Sequence, residues 1–312
     1  MDRLTICGDG LGAVVAVTRP NFLPLAVVIV LAAVAAAFYA HLTFNLLNAV
    51  LVMAGAILLH ASVNAYNNYF DYRSTIDHKT VKTPFSGGVD LIVKGKIKPA
   101  TAFTVASACL LGATLIGAYF LERFFALLLP LMIYGVVAIL AYSPVLSKVP
   151  AVSEVLAGTG FGLMGLGAYI TQTGVVDATG ISILVPVSIL VALLLFLNEF
   201  PDSDVDKGAG RRHLVILLGK RKSALVYVAG LIATYLSILA SVIFVAAPPT
   251  VLIALATSPL AYKAGRTAVQ NYESTAQLIP ALGTNVVVIL STILLLSVGF
   301  ALGAVLRETF GF

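Results

Sequence analysis

Charge is scarce in this chain: Asp, Glu, Lys and Arg make up 11% of its 312 residues, where an ordinary soluble domain carries ~25%. Cysteine is scarcer still. Cys7 lies in the N-terminal stretch and Cys109 inside an apolar run, so the pair offers neither a disulfide framework nor a metal-binding spacing, and both are expected to be structural. No apolar leader opens the sequence, because Asp2, Arg3, Asp9 and Arg19 precede the first long apolar stretch, the wrong arrangement for a cleaved signal peptide. Gly8, Gly10 and Gly12 alternate without a preceding strand or βαβ context, which gives no ground for a nucleotide-binding motif. Nothing points to nucleic acid, and no short-period repeat is visible.

What fills the chain instead is apolar. Hydrophobic residues make up 60%, against ~45–50% in soluble domains, and the mean hydropathy is +1.02. The runs are continuous rather than alternating, so the lipid bilayer is expected as solvent and the fold class is an all-α bundle of membrane-crossing helices. Runs near the ~20 residues needed to cross fall at Phe22–Ala40, Leu46–Tyr66, Ala100–Tyr119, Phe124–Tyr142, Val152–Thr171, Ile181–Phe200, Ser223–Val245, Pro249–Tyr262 and Leu278–Val305. That predicts nine transmembrane helices in one domain, residues 1–312. With loops assigned alternately to two sides, all but two of the 19 Lys and Arg residues collect on one side, leaving Arg123 and Arg307 on the other. Cytoplasmic loops collect Lys and Arg, so the N-terminus is expected in the cytoplasm and the C-terminus outside. The two longest internal loops, 72–99 and 201–222, fall on the cytoplasmic side and are expected to cap an active site.

Both loops adjoin clusters of hydrogen-bonding and acidic residues. Asn64, Asn67, Asn68 and Asp71 close the second run, with Asp77, His78 and Lys79 just beyond; Asn198, Glu199, Asp202, Asp204 and Asp206 close the sixth. Residues three, four and seven apart share a helix face, which puts Asn64, Asn67 or Asn68, and Asp71 on one stripe and Asn198, Asp202 and Asp206 on another, with Pro201 free to bend the second. Glu199 and Asp204 are expected off that stripe, in solvent or loop. Asp77 joins only if the chain unwinds near Ser74 and Thr75. Mg²⁺ takes hard oxygen ligands, commonly one or two carboxylates completed by substrate phosphates, so two facing stripes suit a metal-bound diphosphate. Arg73, Lys79, Lys82, Lys207, Arg211 and Arg212 could neutralise its remaining charge, or could simply obey the positive-inside rule.

Other residues allow two readings. His60 either approaches the substrate or is a buried histidine bonded to a neighbouring helix, and His78 either touches the diphosphate or lies in the loop. His41 and His213 read as loop residues. Lys148 and Glu154 either orient an acceptor or form a local ion pair. Tyr142 could turn its ring face to a carbocation or serve as an interfacial anchor. A transporter would share the intramembrane polar residues, but its site usually lies near the midplane on broken helices, whereas these carboxylates lie at one face.

The pattern Asn67-x₃-Asp71-x₅-Asp77-His78-Lys79 with Asn198-x₃-Asp202-x₃-Asp206, Gly210-Arg211-Arg212-x-Leu214-Val215 and Leu218-Gly219 resembles the paired Asp-rich motifs of the UbiA superfamily of intramembrane prenyltransferases. Thr18-Arg19-Pro20 is similar to its Arg-Pro lead-in to the first helix, and Tyr142-Ser143 to the ending of its fourth. The x₅ spacing resembles the branch acting on 1,4-dihydroxy-2-naphthoate in menaquinone biosynthesis. Thr75 stands where that branch often has glycine, and Asn68 where many members have Asp. The resemblance implies a nine-helix fold and Mg²⁺ as cofactor, held by Asn67, Asp71, Asp77, Asn198, Asp202 and Asp206. It implies a polyprenyl diphosphate donor gripped by Arg19, Lys79, Lys82, Arg211 and Arg212, and an aromatic acceptor near Asn64, Lys148 and Glu154. Asp71, Asp202, Asp206 and Tyr142 would serve the chemistry. With another acceptor, 4-hydroxybenzoate or a glycerol-phosphate lipid, the same motifs would serve.

Overall fold

In the computed structural model, which describes residues 10–78, 83, 85, 89–244 and 247–310, the apolar runs fold almost wholly as α-helix, and no strand occurs among the described residues. The helices are α1 (Gly10–Ala16), α2 (Pro24–His41), α3 (Leu46–Arg73), α4 (Pro99–Ala141), α5 (Val152–Thr173), α6 (Ala178–Gly208), α7 (Leu214–Leu218), α8 (Lys220–Phe244), α9 (Ser258–Asn271) and α10 (Thr275–Phe310). Helix ends follow local chemistry. Asn45 caps α3 by accepting from Asn48 N at 2.9 Å, and Gly174, at φ 76°, ends α5 in the left-handed conformation that glycine supplies most readily.

Among the described residues six helices are long and apolar enough to cross a membrane: α2, α3, α4, α6, α8 and α10. The sequence predicts nine crossings, and the difference has local causes. Helix α4 counts once, yet it runs 43 residues and breaks at Phe124, where φ is −125° and ψ 35°. Its halves fold back on each other: a Cβ at Gly117 would stand 2.6 Å from Met132 Cε, although fifteen residues of straight helix span ~22 Å. Helix α5 is diluted by five glycines, Ser153 and Glu154. The run Pro249–Tyr262 is not one helix, because a 3₁₀ stretch, Pro249–Thr257, gives way to α9 at Ser258. Pro259 has no N–H for the Leu255 carbonyl and its ring crowds that carbonyl, which disfavours a continuous α-helix across the junction.

The expected loop 201–222 also differs from what is observed. Helix α6 continues through Pro201 to Gly208, so proline costs one backbone bond without ending the helix, and the loop is confined to the residues between α6 and α7.

Packing relies on small side chains. Helix α2 touches α3, α5, α6 and α10, and its Ala32, Ala33, Ala36 and Ala37 are fully buried, letting helix backbones approach closely as membrane interfaces favour. Large apolar side chains such as Leu111, Leu115, Ile133, Val137, Ile232 and Leu236 face outward. With six apolar spans, that surface belongs against lipid, and the protein is a multi-pass membrane protein. At the end where α2 finishes, Asp177 accepts from Gly180 N at 3.0 Å, from Tyr169 Oη at 2.7 Å, and pairs with His41 at 2.8 Å. Burial pushes the Asp177 carboxyl up, but those hydrogen bonds outweigh it and hold the group below its ordinary value. Arg307 closes the same end by donating to the Tyr39 and Ala40 carbonyls at 2.7 and 2.8 Å.

Helices α5 and α6 meet where Gly158 and Gly162 face Ser188, and a Cβ at either glycine would collide with it. Gly158→Ala is therefore expected to cost ~1–3 kcal/mol through overpacking. At Gly208 nothing lies within 4 Å of an added Cβ, so Gly208→Ala should be neutral or stabilise by up to ~1 kcal/mol. Thermal unfolding in detergent checks the pair, and equal losses at both sites would contradict this packing.

Candidate active site

The last two turns of α3 hold the N-terminal segment. Asn64 Nδ2 donates to the Thr18 carbonyl and Asn68 Nδ2 to the Val17 carbonyl, both at 2.9 Å. In return Arg19 Nη2 donates to Asn68 Oδ1 at 2.6 Å and to Asn67 Oδ1 at 3.1 Å. Arg19 takes a left-handed backbone conformation, φ 51° and ψ 66°, to bring its guanidinium there. Asp71, Asp77 and Asp202 favour its charge, but burial is the larger influence and holds the group below its ordinary value. Past Arg73 the chain leaves the helix at Thr75 and makes a 3₁₀ turn, Ile76–His78, which buries Asp77. The unwinding that Asp77 needs does occur.

On α6, Asn198, Asp202 and Asp206 stay in helical register because the helix passes through Pro201. Beyond its end Gly210, at φ 83°, turns the chain back so that Arg211 reaches both clusters. Arg211 Nη1 donates to Asp206 Oδ1 at 3.1 Å, and Nη2 pairs with Asp71. Burial pulls the Arg211 guanidinium down, yet Asp71 and Asp206 together overcome it and raise it above its ordinary value.

These side chains open onto one cavity of about 310 Å³. Arg19, Asn64, Asn67, Asp71, Asp77, Tyr142, Asn198, Asp202, Asp206 and Arg211 all line it. Lys148 and Arg212 do not; both are exposed. Glu154 is buried behind the wall, where it accepts from Leu214 N at 2.6 Å and Ser153 Oγ at 2.7 Å, so it forms no ion pair with exposed Lys148. Lys79 and Lys82 lie outside the described residues. His60 lines the cavity edge-on to Phe161, with ring centroids 4.8 Å apart, and its Nδ1 has no hydrogen-bond partner. His78 is exposed beside Tyr72.

Glu199, read from sequence as solvent or loop, is corrected by the structure: it lies within α6 and is 6% exposed. His213 does lie in the loop before α7, yet it is only 2% exposed, and both residues line the cavity. The signal for Glu199 was present: it stands three and seven positions before Asp202 and Asp206, which on a continuous helix is the same face. For His213 no such signal exists, because its place depends on the turn at Gly210. Away from the acids the wall becomes apolar, with Leu59, Val63, Phe161, Met164, Val191 and Leu194. A second, apolar cavity of about 150 Å³ between α3, both halves of α4 and α5 shares Leu59, Gly135, Gly160 and Met164 with the first. The arrangement suits a ligand with an anionic head and a long apolar tail.

Comparisons with known proteins place the whole chain in context. The family model described as UbiA prenyltransferase family matches residues 26–286. The 1,4-dihydroxy-2-naphthoate octaprenyltransferase of Bacillus subtilis is 27% identical over 258 residues, 81% of each chain. Its namesake from Haemophilus influenzae is 28% identical over 237 residues, 70% of this chain and 77% of that one. A solved UbiA homolog from Archaeoglobus fulgidus, bound to GPP and Mg²⁺, superposes with a TM-score of 0.60 at 18% identity, over 91% of this chain and 99% of that one. At that identity the likeness is one of fold.

Thr75 is a β-branched residue at φ 62°, a conformation that costs an L-residue ~1–2 kcal/mol. Glycine would remove that strain while adding ~0.5–1 kcal/mol of unfolded-state entropy. Thr75→Gly is therefore expected to keep full activity and to leave stability unchanged or raised by ~1 kcal/mol, as read by thermal unfolding. A loss of more than that would show that the Thr75 side chain contributes more than its backbone costs.

Proposed function

The chain belongs to the UbiA prenyltransferase family and is a prenyltransferase, and from that premise we propose that it transfers a polyprenyl group from polyprenyl diphosphate to 1,4-dihydroxy-2-naphthoate with Mg²⁺ as cofactor. The observation that carries the reading is the meeting of the α3 and α6 acids with Arg19 and Arg211 at the head of a cavity whose remainder is apolar. Support for the acceptor comes from the x₅ spacing between Asp71 and Asp77 and from the naphthoate prenyltransferases among the relatives.

The donor set fits Mg²⁺. It is made of oxygen atoms throughout, and Asn198 Oδ1 is buried without a hydrogen-bond partner, the state of an atom waiting for a ligand. Asn67, Asp71, Asp77, Asn198, Asp202 and Asp206 are the residues we assign to hold the metal, which when bound offsets the charge of the diphosphate as it leaves. Arg19, held by Asn67 and Asn68, and Arg211, once exchanged from its carboxylate partners, bind diphosphate oxygens and stabilise the charge of the leaving group. Leu59, Phe161 and Met164 keep water from the allylic carbon once its bond to oxygen breaks, and the Tyr142 ring offers its π face to the positive charge. The ring of the acceptor then forms the new carbon–carbon bond, and the naphthoate carboxylate leaves as CO₂. The tail lies in the apolar cavities. Nine crossings, with the site and N-terminus on the cytoplasmic face and the C-terminus outside, complete the proposal, supported by the unequal division of Lys and Arg.

Membranes given radiolabelled polyprenyl diphosphate and carboxyl-labelled 1,4-dihydroxy-2-naphthoate are expected to release labelled CO₂ in step with prenylated product. EDTA, Asp71→Ala and Asp202→Ala should each lower the rate at least ~10²-fold, as removing a charge-stabilising group does, while folded protein persists in the membrane. Activity surviving EDTA would sink the metal assignment. Efficient use of 4-hydroxybenzoate or a glycerol-phosphate lipid, with none of the naphthoate, would sink the acceptor.

Orientation has its own measurement. In a background lacking Cys7 and Cys109, a cysteine at Thr83 should react with an impermeant thiol reagent from the cytoplasmic side only, and one at Val176 from the opposite side only. Both labelling from one side would overturn the topology.

A further inference from the structure

Glu199 and His213 form a wall of the cavity that neither the metal nor the diphosphate assignment uses. One oxygen from each of Glu154 and Glu199 and one ring nitrogen of His213 lie within 4.8 Å of one another. Glu154 accepts from the Leu214 N–H and the Ser153 hydroxyl, which ties the segment after α6 to the start of α5, and its carboxyl also bonds that of Glu199. That contact engages Glu199 on one side only. Its Oε2 is buried without a hydrogen-bond partner, and so are both ring nitrogens of His213. His213 Nδ1 stands 3.5 Å from that oxygen and Nε2 3.4 Å from Asp206 Oδ2, close enough for electrostatic attraction but without hydrogen-bond geometry. A buried acceptor left without a donor is costly, and here it faces a ligand cavity.

We infer that this wall seats the aromatic acceptor: Glu199 accepts a hydrogen bond from a ring hydroxyl, and Glu154 and His213 position Glu199 to do so. The inference rests on the aromatic-acceptor reading given above and names the group that recognises the ring. The chemistry is selective. A substrate carboxylate turned to this wall would meet the carboxyl groups of Glu199 and Glu154, whereas a hydroxyl supplies the missing donor. Glu199 follows Asn198 directly and precedes Asp202 by about one turn, so a hydroxyl held by Glu199 sets the ring beside the diphosphate end of the donor. The serine hydroxyls of Ser143, Ser147 and Ser153 line the same cavity and give the rest of a small polar ring system something to bond.

The test uses the two monomethyl ethers of 1,4-dihydroxy-2-naphthoate, each of which masks one hydroxyl. Wild-type protein is expected to disfavour one ether at least ~30-fold in kcat/KM, because masking the donor leaves the buried acceptor unpaired. Glu199→Gln keeps the size of the side chain and can donate to an ether oxygen. It should cut that discrimination at least ~10-fold and raise KM for the dihydroxy acceptor, with KM for polyprenyl diphosphate and the EDTA sensitivity unchanged. His213→Gln, acting through position, should raise the acceptor KM with the discrimination largely kept. Equal loss on ether and hydroxyl acceptors, or a change confined to the diphosphate KM, overturns the inference and leaves the acceptor reading standing. So does a stoichiometric transition-metal ion in the purified protein that Glu199→Gln releases, since the wall would then be a metal site. A wild type that prenylates no aromatic acceptor overturns both.

Discussion

Two carboxylates from different helices, Asp71 and Asp206, share one guanidinium across 140 positions of sequence, and the polar end of the cavity is organised around that pairing. Charged acids in a low-dielectric interior repel one another and lose hydration, and a built-in counter-charge offsets both costs. Arg211 is that counter-charge. It is delivered by a left-handed turn at Gly210 that any other residue would adopt only with strain. Under the proposed function the same pairing would give ligand binding its electrostatic logic, since a metal and a diphosphate arriving together would largely offset each other's charge and Arg211 would exchange its carboxylate partners for phosphate oxygens.

Away from the acids the architecture serves the opposite need, which is to keep space open among helices that attract one another. The alanines of α2 and the glycines of α5 allow close backbone approach on some faces, and this closeness lets other faces stand apart. Gly135 and Gly160 border both cavities and have no atom within 4 Å of an added Cβ. The empty volume is a product of where side chains are missing.

Much of this was legible in sequence. Apolar run length gave α2, α3, α6, α8 and α10, and helical spacing gave the two stripes, because both depend on periodicity that the chain displays openly. The break at Phe124 falls where one counted run, Phe124–Tyr142, begins. Other features were not legible. The continuation of α6 past Pro201 depends on tertiary support that outweighs a strong local breaker, and Glu199 was read as solvent or loop because it lies off the Asn198 stripe, although a second face of the same helix also meets the cavity. The 3₁₀ stretch Pro249–Thr257 carries the same apolar residues as an α-helix and differs only in backbone bonding. His213 has no pattern to reveal it, since its burial follows from a turn whose direction a single glycine permits. Arg212, next to Arg211 and chemically equal to it, ends exposed, a distinction that composition cannot make.

The clamp of Asn64, Asn67 and Asn68 on residues 17–19 has a consequence for the order of assembly. Arg19 leaves the ribosome early, yet the amides that fix its position belong to α3, some 49 residues later, and the acids it faces on α6 follow after more than a hundred more. Until α3 has been inserted, the segment before α2 has no partner for the Val17 and Thr18 carbonyls and no reason to hold Arg19 in a left-handed conformation. The first residue of the site to be synthesised is thus set in place by a helix made after it, and a nascent chain released between the two would carry a properly inserted first helix with no organised head group above it.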